Sequence, residues 1–258
     1  MTETKAESYT GKHSSKHGSK HNSWFAYVRP RRFQILLSIQ LIFIIGAPLL
    51  GQDLPGRVFT AVVSSLAFVQ TCVCIMPRKR VLLIIGSLAF LLSIFGSFVL
   101  CVDLPPFNHF GAQVSARVIA ILFYSFAAAI IFRDVIRDGA VDINKLCGSI
   151  CLYLLIGIIW GQFYQLSAIC DPGSLFFDMT KLDKHGHITN FERANLLNYF
   201  SYVTLSTLGY GDITPVARLT RTLAWSEALL GQIYMAILVS RLVGLHIAFK
   251  SNTVTNDD

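Results

Sequence analysis

Charge is scarce in this sequence. Only 14% of the 258 residues are Asp, Glu, Lys or Arg, whereas 53% are apolar, and the mean hydropathy is +0.54. Soluble domains average about 25% charged residues over the whole sequence, so this composition excludes an ordinary soluble protein. The apolar residues also occur in blocks of about 20, the length that a helix needs to cross a bilayer. The sequence therefore predicts an integral membrane protein.

Motifs of enzymes and of metal proteins are also missing from the sequence. It has no glycine-rich nucleotide loop and no hydrolase triad, and none of its six cysteines has the spacing and histidine partners of a zinc site. The net charge is +7, but cationic cytoplasmic loops of a membrane protein account for it without a nucleic acid. We therefore expect no enzyme, no cofactor and no nucleic-acid partner.

Six apolar segments follow a polar tail, and they predict an all-α membrane protein with six transmembrane helices. The tail, residues 1–32, is rich in Ser, His and Lys and is predicted to be disordered and basic. It is expected to lie near anionic lipid headgroups, with metal binding by its regularly spaced histidines as the alternative. The apolar segments are 33–50, 58–76, 81–102, 110–132, 146–170 and 219–247.

The loops between these segments predict the orientation. Lys and Arg are concentrated in the tail, in the loop at 78–80 and in the loop at 133–145, whereas the intervening loops are nearly free of them. Because cationic loops are retained in the cytoplasm, we expect a multi-pass protein of the cell membrane with both termini cytoplasmic. The long segment 171–218 is then outside. Within it, residues 195–206 are apolar but too few to span, which predicts a re-entrant half-helix.

A glycine-containing motif, TLGYGD at residues 207–212, follows this half-helix directly. It resembles the selectivity filter of the potassium-channel superfamily, with Leu where Val or Ile is commoner. The resemblance is strong over about 195–245. It implies a ring of backbone oxygens that replaces the hydration shell of K⁺. By this resemblance the filter comprises Thr207, Leu208, Gly209, Tyr210 and Gly211, of which the first four coordinate K⁺, and Asp212 marks the outer mouth.

The glycines have a physical role in such a filter. In an ordinary strand successive carbonyls alternate sides, whereas a filter needs several of them to face one axis. Gly209 and Gly211 carry no Cβ and can take the left-handed dihedrals that this requires. The sequence contains the motif once, so four chains are needed to close a ring, most simply as a homotetramer in the lipid bilayer.

The resemblance also divides the chain into regions. Residues 146–250 are expected to form the pore domain, and 251–258 a short cytoplasmic tail. Residues 33–145 are expected to form a four-helix region without a voltage sensor. A voltage sensor needs several regularly spaced cations in its fourth helix, whereas the fourth segment here offers Arg117 alone.

Two residues around the filter leave alternatives open. Gly231 is a gating hinge, as the resemblance implies, or a small residue for close helix packing, and the two roles are compatible. Glu227 is either a sensor in the pore wall or a buried structural anchor bonded to groups of the half-helix, and the anchor is favoured. Filters of the superfamily commonly have Trp donors behind them. Phe200, at one of the equivalent positions, cannot donate a hydrogen bond, which predicts a weaker hold on Asp212.

The leading hypothesis is thus a passive K⁺-selective channel. A non-selective cation channel with a weakened filter is one alternative. A subunit of a potassium transporter is another, although it predicts repeated filters that the sequence does not contain.

Overall fold

The computed structural model describes residues 32–49, 110–136, 143–178, 180 and 189–254. Five helices and two short strands lie within these ranges. In chain order they are α1 (Arg32–Leu49), α2 (Phe110–Ile136), α3 (Ile143–Cys170), β1 (Leu175–Phe177), α4 (Asn190–Leu205), β2 (Ile213–Pro215) and α5 (Arg218–Val254).

Three of these helices are long and apolar enough to cross a membrane: Phe110–Ile136, Ile143–Cys170 and Arg218–Gly244. The apolar part of α1 is shorter and covers Phe33–Gly46. The chain is therefore a mostly helical membrane protein. The predicted tail up to Arg31 and the predicted segments 58–76 and 81–102 lie outside the described residues. Helix α5 runs to Val254, so its last turn continues into the region predicted as a tail.

Helix α3 is the element against which the others pack. Its first half meets α1 and α2 in one apolar cluster that includes Phe33, Ile131 and Leu155. The start of α1 is also tied to the start of α3, because the Asn144 side-chain oxygen accepts a hydrogen bond from the Phe33 N–H at 3.2 Å. That bond satisfies one of the amide groups that a helix N-terminus leaves without an intrahelical partner.

Two arginines connect helices of the described region. Arg117 of α2 donates to the Gln162 side-chain oxygen of α3 at 3.1 Å. Arg241 of α5 donates to the Val135 carbonyl, in the last turn of α2, at 3.2 Å. The carbonyls of a last helical turn lack intrahelical donors and carry partial negative charge, so a guanidinium is a favourable partner there. Arg241 therefore joins the C-terminal half of α5 to the end of α2.

Two three-residue strands, which the sequence did not predict, join the segment after α3 to the segment before α5. Strands β1 and β2 are antiparallel, with Phe176 opposite Thr214. The Ser174 carbonyl beside them accepts hydrogen bonds from the Val216 and Ala217 amides and from the Thr220 hydroxyl. The pairing fixes the backbone that leaves the 207–212 motif to the end of α3.

Two glycines of α3, four residues apart, allow α4 to approach closely. A Cβ at Gly157 would lie within 3.1 Å of three ring atoms of Tyr202, and one at Gly161 would lie 3.3 Å from the Asn198 Cα. Pairs of small residues at this spacing let helix backbones come together in membranes. The pair is visible in the sequence as Gly157-Ile-Ile-Trp-Gly161, but the sequence analysis did not predict this contact.

We expect Gly157→Ala to destabilise the protein by about 1–3 kcal/mol, because the added methyl group overpacks the contact with Tyr202. The measurement is the thermal unfolding midpoint of the purified protein in detergent. Gly111→Ala is the matched control, since a Cβ at Gly111 meets nothing within 4 Å and alanine favours a helix. Equal unfolding midpoints for Gly157→Ala and the control would contradict the close packing of α4 on α3.

Candidate functional site

Helix α4 delivers the chain to the 207–212 motif. It begins at Asn190, five residues before the predicted start, because Thr189 caps it: the Thr189 hydroxyl oxygen accepts from the Glu192 amide at 3.2 Å. Thr at the cap position with Glu three residues later is a known start signal for helices. The sequence contained this signal upstream of the apolar stretch from which the half-helix was predicted.

Three backbone hydrogen bonds connect the residues that follow α4 to its last turn. The Ser206 amide donates to the Tyr202 carbonyl, the Thr207 amide to the Thr204 carbonyl and the Leu208 amide to the Val203 carbonyl, at 2.9–3.0 Å. These bonds keep the first residues of the motif against the end of the helix. The motif therefore starts from a fixed point on α4.

The motif itself has an alternating backbone. Thr207, Gly209 and Gly211 have φ of 60°, 58° and 70°, whereas Leu208 and Tyr210 have no positive φ. Positive φ has no steric cost at glycine but is unusual for a β-branched residue such as threonine, where it costs about 1–3 kcal/mol. Backbone strain of this kind persists only where the surroundings impose it, and it is concentrated at functional sites.

Asp212, the last residue of the motif, is held by three groups. The Tyr199 hydroxyl of α4 donates to its Oδ2 at 2.7 Å, and the Ile213 amide donates to its Oδ1 at 2.9 Å. Its carbonyl accepts from the Asp178 amide at 2.8 Å. A tyrosine hydroxyl has an ordinary pKa of about 10, so that of Tyr199 keeps its hydrogen at neutral pH and remains a donor.

The structure shows a hydrogen-bond donor to Asp212 in a residue other than Phe200. Phe200 lacks a donor, as expected, but its side chain is buried and packs edge-on against Tyr164 with ring centroids 4.9 Å apart. The neighbouring residue, Tyr199, faces Asp212 and supplies the hydrogen bond instead. The sequence has Tyr199, Phe200 and Tyr202 at the end of the half-helix, but it does not show which of them faces Asp212.

The end of α4, two residues before the motif, rests against α5 at Gly231. A Cβ there would lie 3.0 Å from the Leu205 carbonyl carbon and closer still to the oxygen. The same carbonyl accepts from the Tyr153 hydroxyl of α3 at 3.3 Å. Of the two roles left open for Gly231, close packing is therefore observed, and the packed group is the last carbonyl of α4.

Glu227 lies on α5 four residues before Gly231 and is fully buried. The Tyr164 hydroxyl donates to its Oε2 at 2.7 Å, and the Ser201 hydroxyl lies against its Oε1. Tyr164 belongs to α3 and Ser201 to α4, so one carboxyl group connects three helices. This geometry corresponds to the anchor that the sequence favoured, with Tyr164 and Ser201 as partners that it did not identify.

Aromatic donors complete the connections between α3, α4 and α5. The Tyr202 hydroxyl bonds to the Leu154 carbonyl at 2.9 Å, and the Trp160 indole N–H bonds to the Leu223 carbonyl at 3.1 Å. The Tyr234 hydroxyl bonds to the Ser149 carbonyl at 2.6 Å. Each donor is a side chain on one helix and each acceptor is the backbone of another. The partners lie 48 to 85 residues apart in sequence, so no local pattern predicts them.

We expect Tyr199→Phe to loosen the end of the motif, because it removes the donor to Asp212. Hydrogen bonds to charged groups contribute about 1.5–3 kcal/mol, so local opening should increase roughly tenfold or more. Hydrogen–deuterium exchange of the peptides covering 207–213 measures this. Tyr202→Phe is the control, since it removes a bond between α3 and α4 away from Asp212. Unchanged exchange at 207–213 in Tyr199→Phe would contradict a supporting role for Tyr199.

Part of the chain is similar in sequence to known ion channels. Residues 152–246 match a family model described as "Ion channel", which covers more than a third of the chain and includes α4, the motif and most of α5. Protein LctB of Geobacillus stearothermophilus is 51% identical over 45 residues, which are 17% of this chain and 33% of that protein. The chain thus matches only a third of the length of this relative. No solved structure matches the chain significantly. Residues 152–246 are therefore similar to an ion-channel domain, and passive ion conduction is the activity that this similarity supports.

Proposed function

We propose that the chain is one subunit of a tetrameric potassium-selective channel that conducts K⁺ passively. The observation that carries this proposal is the alternating backbone of residues 207–211, with positive φ at Thr207, Gly209 and Gly211. This segment lies between a helix too short to span, α4, and a membrane-capable helix, α5.

Alternation of this kind suits a cation site made of backbone oxygens. A dehydrating K⁺ needs several oxygen ligands, and rings of carbonyl groups supply them in filters. Left-handed φ at every second residue lets neighbouring carbonyls face the same side, which a regular strand does not allow. Within this alternation the φ of Thr207 is the most informative value, because backbone strain at a β-branched residue is concentrated at functional sites.

A ring of such oxygens requires more than one chain, and the exposure of the protomer supports this. Leu208 and Tyr210 are 58% and 61% exposed in the single protomer. Large apolar residues are also exposed along α5, among them Trp225, Leu229 and Ile233. Lipid and three further copies of the chain are the surroundings that we propose for these surfaces, with fourfold cyclic symmetry about the motif.

The orientation that we propose follows from the cationic loops. Both termini are cytoplasmic, and the motif opens to the outside with Asp212 at its mouth. The channel needs no cofactor and catalyses no reaction. Arg117, bonded to Gln162 of α3, is a single charge fixed between helices, so we propose that the channel has no steep voltage dependence.

Ion flux into liposomes tests the proposed function directly. We expect the purified protein to give rapid K⁺ uptake that barium blocks, with little Na⁺ uptake under the same gradient. Comparable Na⁺ and K⁺ uptake would indicate a non-selective cation channel and would overturn the proposed selectivity. No uptake above that of empty liposomes would overturn passive conduction.

Gly209→Ala tests the assignment of the filter. A Cβ at Gly209 meets nothing within 4 Å in the protomer, but φ of 58° strains any L side chain, so the variant should fold and lose K⁺ flux. Gly173→Ala is the matched control. Gly173 lies in the turn after α3, and a Cβ there meets the nearest atom at an ordinary 3.6 Å. Wild-type K⁺ flux and selectivity in Gly209→Ala would refute the assignment.

A further inference from the structure

Glu227 takes part in a chain of contacts with a definite number of hydrogens. Its Oε2 lies 2.7 Å from the Tyr164 hydroxyl, and its Oε1 lies against the Ser201 hydroxyl. The Ser201 hydroxyl also lies 2.7 Å from the Gly157 carbonyl oxygen. Three contacts therefore connect four groups from α3, α4 and α5.

Each contact needs one hydrogen, and few groups can provide one. A carbonyl oxygen only accepts, whereas a serine or tyrosine hydroxyl donates one hydrogen. The contact with Gly157 must therefore take the hydrogen of Ser201. The contact with Oε2 takes the hydrogen of Tyr164. The contact between Ser201 and Oε1 then has a hydrogen only if Glu227 itself carries one.

We propose that Glu227 is a neutral carboxylic acid that donates its hydrogen to Ser201 and thereby acts as a positioning residue for α4. With this hydrogen all three contacts are hydrogen bonds: Glu227 to Ser201, Ser201 to the Gly157 carbonyl, and Tyr164 to Glu227. An ionised Glu227 leaves two oxygen atoms in contact with no hydrogen between them, inside a fully buried site.

The surroundings of Glu227 fit a neutral group. Tyrosines are the titratable residues that interact electrostatically with it among the described residues: Tyr153 and Tyr164 on α3, and Tyr202 on α4. No cation bonds to it within the described part of the chain. Burial of an unpaired carboxylate is far more costly than burial of a hydrogen-bonded neutral acid.

The consequence for the motif follows from the position of Ser201. It lies on α4, whose end leads into residues 207–212, and its bond to the Gly157 carbonyl holds α4 at the closest point of its contact with α3. Glu227 orients that hydroxyl by occupying its acceptor side. This effect on the filter rests on the proposed function, whereas the neutral state of Glu227 does not.

Infrared spectroscopy of the full-length protein in lipid bilayers tests the proposal. A neutral carboxylic acid has a carbonyl stretching band that a carboxylate lacks, and the band shifts in deuterium oxide. We expect wild-type protein at neutral pH to show this band and Glu227→Gln to lose it. Glu192→Gln, which removes the other buried glutamate of the described residues, is the matched control and should retain the band.

Labelling wild-type protein with isotopic glutamate shows without a mutation whether the band belongs to a glutamate, and Glu227→Gln identifies which one. The acid band should shift if it belongs to a glutamate. Ser201→Ala should keep the band but move it to higher frequency, because the acid loses its acceptor. A wild-type spectrum without an acid band, or a band unchanged in Glu227→Gln, would overturn the proposal.

Ion flux separates this inference from the proposed function. A glutamine amide can donate to Ser201 and accept from Tyr164 as the neutral acid does, so Glu227→Gln should retain the wild-type flux and ion preference. Glu227→Ala, which has neither group, should lose them. Loss of flux in Glu227→Gln, with Glu227→Ala no worse, would overturn the positioning role. Absence of flux in wild-type protein would refute the proposed function and leave the infrared result to stand by itself.

Discussion

The candidate site at residues 207–212 depends on how the backbone is held between Leu205, where α4 ends, and Ile213, where β2 begins. In the proposed channel this backbone lies at membrane depth, where non-helical backbone is tolerated only if protein or a watery cavity surrounds it, because its polar groups cannot bond to lipid. In this protein the support comes from both ends. At the start of this backbone, Gly231 leaves room for the Leu205 carbonyl. At its end, the Tyr199 hydroxyl bonds to Asp212. Between these two points the backbone takes its alternating φ values.

Support at both ends is effective only if α3, α4 and α5 keep fixed positions. Apolar packing alone does not fix helices strongly in lipid, since lipid tails are as apolar as the side chains. The protein instead combines small residues, such as Gly157, with buried polar bonds between helices. Glu227, on α5, connects all three helices, because it joins one partner on α3 to another on α4. These contacts hold the helices on both sides of the alternating motif, and the motif depends on them for its position.

Much of the helical plan could be predicted from the sequence, since long apolar blocks bounded by polar loops determine helices such as α3 and α5 almost alone. Gly209 was identified as a residue that needs left-handed freedom, and it has positive φ. The partners of Glu227 could not be identified in this way. They depend on how three helices rotate and approach, and residues such as Tyr164 lie 63 positions away. The pairing of β1 with β2 could not be predicted for another reason: strands of three residues are too short to show an alternating sequence pattern.

The most direct test of the account is an electron cryomicroscopy structure of the protein in lipid nanodiscs with K⁺. The account predicts four copies about one axis, with the carbonyls of Thr207, Leu208, Gly209 and Tyr210 facing it and ion density between successive rings. Removal of K⁺ should weaken that density while Asp212 stays bonded to Tyr199. A structure with another symmetry, or with these carbonyls turned away from the axis, would contradict the account.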